Sequence, residues 1–327
     1  MKQTQAKIYQ AQAFGSSMLL GEHAVMYGYP AIICAINKRV LITCKKRNDK
    51  KISIHSNYFG NLIYDIQSQS SQNNNAFKYV LAVLQYYQTY YQQYKQTGYD
   101  ISITGNCLPS IGFGSSTAVT VALVDVLAQT LKLNFSKQMI FSTTLFIIRK
   151  IQYKASGADI AASIYGKIIY FMQEKINILE SCNLCDIILI YCGYKTETQK
   201  VTSILAKNMH CNPKKYDQLY KKISNLVVQA KKCLLENDFC SLGLILNDQQ
   251  ILLQQIKVSD PHLDFIIKKL QNCDNILGAK ISGSGLGDCI LTLGNLTEEY
   301  FQNNIIDKIN NKQLAQKVKK FHLNIAK

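Results

Sequence analysis

Along the first sixty positions the apolar residues fall in short runs. Ile8–Ala13, Ile32–Ile36, Val40–Cys44 and Ile52–His55 are rich in β-branched residues and separated by turn-forming ones, which predicts four strands. Gln67–Asn75 is a polar, low-complexity run that cannot build a core. The period then changes. Phe77, Val80, Leu81, Leu84 and Tyr87 recur at helical spacing and predict a helix over Ala76–Tyr94. A strand over Ile101–Thr104 is followed by helices over Ser115–Lys132, Ser136–Ile151 and Gly157–Tyr165, then a strand over Lys167–Met172. Beyond it come a strand over Asp186–Tyr191 and helices over Lys214–Leu235, Cys240–Ile256 and Pro261–Asn272. Strands over Gly278–Ile281 and Cys289–Leu293 flank a glycine turn, a helix starts at Thr297, and the tail Asn310–Lys327 reads as a basic helix. Both halves mix helices and strands without regular βαβ alternation, so the expected class is α+β. A boundary near 175–185 gives two domains, 1–180 and 181–327.

Composition agrees with two domains of ordinary size, since 327 residues is about twice the usual domain length. Apolar residues make up 47% of the chain and charged ones 18%, enough for a sizeable core. No apolar run reaches the roughly 18 residues of a membrane span, and the first residues lack the apolar core of a secretory signal. The eleven cysteines are scattered, many in apolar runs (Cys34, Cys44, Cys192, Cys289), as buried thiols of a reducing, cytoplasmic compartment would be. Cys182 and Cys185 form a C-x-x-C without the second ligand pair that zinc needs. The net charge of +16 is spread over many segments, which favours attraction of anionic small molecules over a dedicated nucleic-acid arm. The stripe Tyr86, Tyr87, Tyr90, Tyr91 and Tyr94 reads as packing, because no glycine- or arginine-rich loop accompanies it for base stacking.

Three glycine-bearing segments carry the candidate chemistry. Gly112-Phe113-Gly114-Ser115-Ser116-Thr117 sits where a helix begins, and free N–H groups at such a point favour a phosphate. Read structurally, it is a turn with Ser115 as the helix cap. Leu20-Gly-Glu-His-Ala-Val-Met-Tyr-Gly28 places Glu22 and His23 among apolar residues, where charge needs a partner. Its alternative is a surface turn. Gly278-Ala-Lys-Ile-Ser-Gly-Ser-Gly-Leu-Gly-Asp288 suggests backbone packed against a ligand or another loop, or else a flexible hairpin.

In this order the three segments resemble the GHMP kinase superfamily, over about residues 10–293. The first resembles that family's phosphate loop, with Pro109 one residue nearer than usual and Phe113 in place of leucine. The resemblance implies an N-terminal domain like ribosomal protein S5 domain 2, a ferredoxin-like C-terminal domain and an active site between them. It also implies ATP and Mg²⁺ as cofactors. Gly112, Gly114, Ser115, Ser116 and Thr117 would bind ATP phosphates, Ser116 would take the metal-binding serine position, and Gly283, Ser284, Gly285 and Gly287 form the third glycine loop. Asp159, in Ala155–Gly166, takes the place of the aspartate that orients or deprotonates the attacking hydroxyl. Leu20–Gly28 is most similar to the mevalonate kinase branch, which makes Glu22 and His23 the expected substrate-binding pair.

Two departures stand out. The family's first motif carries a lysine where this chain has Ser16, and the branch's magnesium-binding glutamate falls on Ile148. Lys154 is the first candidate to replace the cation, followed by Lys280 and Lys195. Asp159 or a water-rich phosphate shell is the candidate replacement around Mg²⁺. The expected reaction is ATP-dependent phosphorylation of mevalonate to 5-phosphomevalonate. The alternatives are phosphomevalonate kinase, to which Gly287-Asp288-Cys289 is closer, another GHMP small-molecule kinase, a nucleotide-binding pseudo-kinase and, least of all, a nucleic-acid binder. A homodimer is compatible with any of them.

Overall fold

The computed structural model describes residues 7–66, 75–107, 111–152, 154–180, 182, 184 and 186–326, so Pro109, Cys185 and nearly all of the polar run 67–75 lie outside the described residues. In chain order the elements are β1 (Ile8–Leu20), β2 (Ala31–Arg47), β3 (Lys51–Ser56), β4 (Gly60–Asp65), α1 (Lys78–Tyr90), β5 (Gly98–Gly105), α2 (Ser115–Thr130), α3 (Lys137–Gln152) and α4 (Ala158–Tyr165). They continue with β6 (Ile168–Met172), β7 (Lys175–Ile178), β8 (Ile187–Tyr191), α5 (Thr198–Cys211), α6 (Pro213–Glu236), α7 (Phe239–Gln255), α8 (Pro261–Gln271), β9 (Ile276–Ser282), β10 (Cys289–Gly294) and β11 (Lys319–Leu323). The class is α+β, as expected. The chain forms two compact units that alternate along the sequence. The first holds Met1–Gly15, Lys38–Pro109 and Phe113–Ile164, the second Ser16–Asn37, Ser110–Gly112 and Tyr165–Lys327.

In the first unit the later half of β2 pairs antiparallel with β5, from Val40 opposite Gly105 to Arg47 opposite Gly98. β5 pairs parallel with β3, which forms a hairpin with β4. Alternation in this half of β2 buries Val40, Ile42 and Cys44 and leaves Leu41 and Thr43 half-buried. α2 is a different kind of element. Eleven of its sixteen residues are buried, on all sides, so it is an interior helix packed by α1 and α3. The tyrosine stripe is packing: Tyr87 Oη donates to the Val124 carbonyl at 2.6 Å, and Tyr94 stacks on Tyr99 with centroids 4.7 Å apart.

In the second unit the early half of β2 pairs antiparallel with β6, from Ala31 opposite Phe171 to Cys34 opposite Ile168. Residues Ala31–Ile36 are all buried, as in a strand covered on both faces. A separate antiparallel sheet has the order β11-β8-β10-β9. α7 and α8 pack on β9. The closest approach is glycine on glycine: a Cβ at Gly278 would stand 2.1 Å from the Gly243 carbonyl oxygen. That contact brings the later turns of α7 within side-chain reach of the β9 backbone.

Four expectations need correction. The two strands expected around Asn37 are one strand of seventeen residues, because Asn37 and Lys38 turn polar side chains outward without breaking the backbone. The basic tail is not one helix. Only Lys312–Ala315 is helical, and Lys319–Leu323 is a strand whose Phe321 lies opposite Leu189 of β8. β4, β7 and α5 were not predicted. In α5 only Val201 and Leu205 are buried, too few apolar positions to mark a helical period. The helix from Thr297 starts as expected, with the threonine side chain accepting from the Tyr300 N–H, but runs as short α, π and 3-10 turns.

Candidate active site

The first unit carries the helix start and the aspartate. Gly114 has φ 64° and is itself the N-cap of α2, with no side-chain cap. The reading of Ser115 as the cap is therefore overturned: a left-handed turn at glycine delivers the chain into the helix, and Ser115 is already its first residue. Ala118 makes the first intrahelical bond, to the Gly114 carbonyl at 3.0 Å. The N–H groups of Ser115, Ser116 and Thr117 thus precede the helical ladder, the arrangement that favours an anion. Ser116 is exposed, while Phe113 is buried and anchors the turn. Asp159 stands exposed in the first turn of α4, after Gly157 at φ 95°. Lys154 is exposed on the segment leading into that helix. Ile148 is buried in α3 and offers no oxygen to a metal.

The second unit carries the Glu-His turn and the third glycine loop. Ser16, at the position of the missing lysine, is buried within β1. Gly21 has φ 97°, and a Cβ there would stand 2.6 Å from Ala31 Cα, so the chain can turn so close to β2 only at glycine. Glu22 follows, 2% exposed. One of its carboxylate oxygens accepts from Lys280 Nζ of β9 and the other from Gln249 Nε2 of α7. Lys280 is 0% exposed and also donates to the Ile281 carbonyl. Burial pushes the Glu22 carboxyl up and the Lys280 ammonium down, and their pairing pulls each back toward the charged form. His23 adopts φ 62°, unusual for a residue with a Cβ. Its Nε2 lies 3.0 Å from the Ser284 carbonyl oxygen, so that nitrogen carries the proton and donates. Burial lowers the His23 pKa to about 4, against a weaker raising effect of that bond.

The ring is therefore neutral in the folded protein near neutral pH. An unfolded histidine, at its ordinary value of 6.5, takes up a proton first as the pH falls. The contribution of His23 to stability is complete above about pH 6.5 and is lost as the pH falls toward about 4. Urea unfolding from pH 7 to 4 is expected to show this decline, and His23→Gln to flatten it. Parallel curves for the two proteins would contradict it.

The third glycine loop packs against other loops. A Cβ at Gly285 would stand 2.3 Å from the Val258 carbonyl oxygen, and one at Gly287 would stand 2.8 Å from the Tyr194 ring. The Leu286 N–H donates to Val258 at 2.7 Å and the Asp288 N–H to Tyr194 at 2.8 Å. Asp288 is buried with φ 71°, and its Oδ2 lies 2.8 Å from Lys195 Nζ. A Cβ at Gly112 would meet Cys289 Sγ at 2.6 Å and Asp288 Oδ1 at 2.9 Å, so the first residue of the phosphate loop rests on the end of the third. Ser17 donates to Ser282 Oγ at 3.1 Å, since Ser282 spends its own proton on the Met18 carbonyl at 3.0 Å. Lys280 and Lys195 are thus each paired to a carboxylate. Sequence reasoning missed Gln249: a glutamine inside a helical period carries no signal of the contact it makes.

Among the described residues no group of three or more His, Cys, Asp or Glu side chains could hold a metal ion, and the described cysteines are free thiols. Cys182 Sγ donates to the Leu234 carbonyl at 3.2 Å. No helix among the described residues is long and apolar enough to cross a membrane.

Residues 78–167 match the family model of the GHMP kinases N terminal domain, and residues 230–320 match that of the GHMP kinases C terminal domain. The chain belongs to the GHMP kinase family and is an ATP-dependent small-molecule kinase. Among its relatives, the mevalonate kinase of Pyrococcus horikoshii is 28% identical over 299 residues, covering 88% of this chain and 89% of the relative. The mevalonate kinase of Methanocaldococcus jannaschii is 26% identical over 292 residues, covering 86% and 90%. The solved Methanococcus jannaschii mevalonate kinase shares the fold with a TM-score of 0.79 at 23% identity, covering 99% of this chain and 100% of that one. The L. major mevalonate kinase in complex with R-mevalonate does so with a TM-score of 0.79 at 21% identity, covering 97% and 95%.

Proposed function

We propose that the chain transfers the γ-phosphoryl group of ATP to mevalonate, giving 5-phosphomevalonate and ADP. The observation that carries this reading is the buried turn at Gly21–His23. A neutral histidine is held there on a third-loop carbonyl, in the segment most similar to the mevalonate kinases. Glu22 has both oxygens engaged inside the second unit, so its role is to hold the turn, and His23 is the residue offered to the acceptor. Asp159 accepts the proton of the acceptor hydroxyl as the phosphoryl group leaves ATP. Ser115, Ser116 and Thr117 present their N–H groups to the phosphates, with Gly112 and Gly114 shaping the turn. Lys154 supplies the cation absent at Ser16.

Mg²⁺ takes oxygen ligands and retains water and phosphate. The exposed hydroxyl of Ser116 suits that donor set, whereas the buried Ile148 does not. When bound, the ion neutralises charge on the phosphates. The free thiols fit a cytoplasmic setting.

Phosphomevalonate kinase is the second reading, favoured by Gly287-Asp288-Cys289, which is closer to the pattern of that enzyme. The product decides between them. With Mg-ATP and mevalonate, ³¹P NMR is expected to show a phosphomonoester coupled to a methylene group. A new diphosphate signal, formed only when phosphomevalonate is supplied, would favour the second reading.

A further inference from the structure

Gln249 lies in α7 and is 0% exposed. Its carboxamide is spent at both ends on two adjacent residues. Oε1 accepts from the Gly21 N–H at 3.3 Å, and Nε2 donates to Glu22. Gln250, its neighbour on the same helix, is 2% exposed and is spent elsewhere: its Oε1 accepts from the Ile281 N–H at 3.0 Å and its Nε2 donates to Ser259 Oγ at 3.3 Å. The two buried amides therefore do different things. Gln250 ties the helix to β9, whereas Gln249 grips the turn that ends in His23.

The grip matters because that turn is strained. Gly21 and His23 both have positive φ, at 97° and 62°. A non-glycine residue in that region persists only where its surroundings over-determine it. The surroundings here are the Ser284 carbonyl on the ring and, on the backbone side, the array Gln249–Glu22–Lys280. We infer that Gln249 is a positioning residue for the acceptor, acting through Gly21 and Glu22 to fix where His23 presents its ring. The inference rests on the reading of His23 as the acceptor contact. It adds α7 to the elements that set acceptor affinity, although α7 contributes no group to the acceptor itself.

Gln249→Met removes both hydrogen bonds at nearly constant volume, and Gln250→Met is the matched control. Leaving buried polar partners unsatisfied changes equilibria by about tenfold or more. The KM for mevalonate is expected to rise by about that factor in Gln249→Met, with the KM for ATP unchanged, and neither to move in Gln250→Met. In full-length protein labelled with ¹⁵N-histidine, the His23 ring resonances are expected to shift in Gln249→Met and to stay in place in Gln250→Met. Should Gln249→Met not fold, Gln249→Asn keeps the amide but withdraws it by one methylene, and it is expected to move the same resonances. Equal effects of the Gln249 and Gln250 variants, or none from the Gln249 variant, would overturn the inference. Failure of the wild-type protein to use mevalonate would sink the proposed reaction instead, and the His23 resonances would still decide the role of Gln249.

Discussion

Asp159→Asn is expected to lower kcat by about two to four orders of magnitude while leaving ATP binding intact. The substitution keeps the size of the side chain and its place in the first turn of α4. It removes the ability to accept the hydroxyl proton, because an amide oxygen is far less basic than a carboxylate. Phosphoryl transfer draws most of its acceleration from positioning and charge neutralisation, and those remain. A residual rate well above background is therefore part of the expectation. Steady-state kinetics with saturating Mg-ATP, together with direct ATP titration, checks both halves. A kcat within threefold of wild type would remove Asp159 from the reaction.

The second large effect concerns stability. Lys280→Met is expected to cost about 3–5 kcal/mol, because it leaves the Glu22 carboxylate buried without its cation. The desolvation of both groups is already spent in the native protein, so breaking the pair is worse than never having had it. Combining Lys280→Met with Glu22→Gln is expected to recover much of the loss, since no buried charge is then left over. Urea denaturation of the two single variants and the double variant measures this directly. Additive losses, or a Lys280→Met variant within about 0.5 kcal/mol of wild type, would show that the pair is not coupled.

The sequence made one side of the chemistry readable and hid much of the other. The phosphate loop, the helix after it and Asp159 announce themselves because glycine, serine and a long apolar run are local signals. The Glu-His turn was visible as two charges among apolar residues, and that demanded partners. The partners were not visible. Lys280 comes 258 positions after Glu22 and Gln249 comes 227 after it, and each looks like an ordinary strand lysine or helix glutamine until the fold brings it in. The same separation explains why Lys280 stood among the candidates for the missing cation when its charge is held by Glu22. The tail misled for a related reason. Lys319-Lys320-Phe321-His322-Leu323 has no strand signature of its own and becomes a strand because β8 offers an edge. Asp288 is the opposite case. Its position after three glycines is plain in the sequence, but its positive φ and its contact with Lys195 belong to the packing of two loops.

The most direct test of the proposed reaction is the initial rate of ADP release from Mg-ATP with mevalonate, with phosphomevalonate and with no acceptor. Release that depends on mevalonate, with phosphomevalonate no better than the blank, is the predicted result. It would also show that a cation other than a lysine at position 16 completes the site. Release only with phosphomevalonate, or none with either acceptor while ATP still binds, would contradict it.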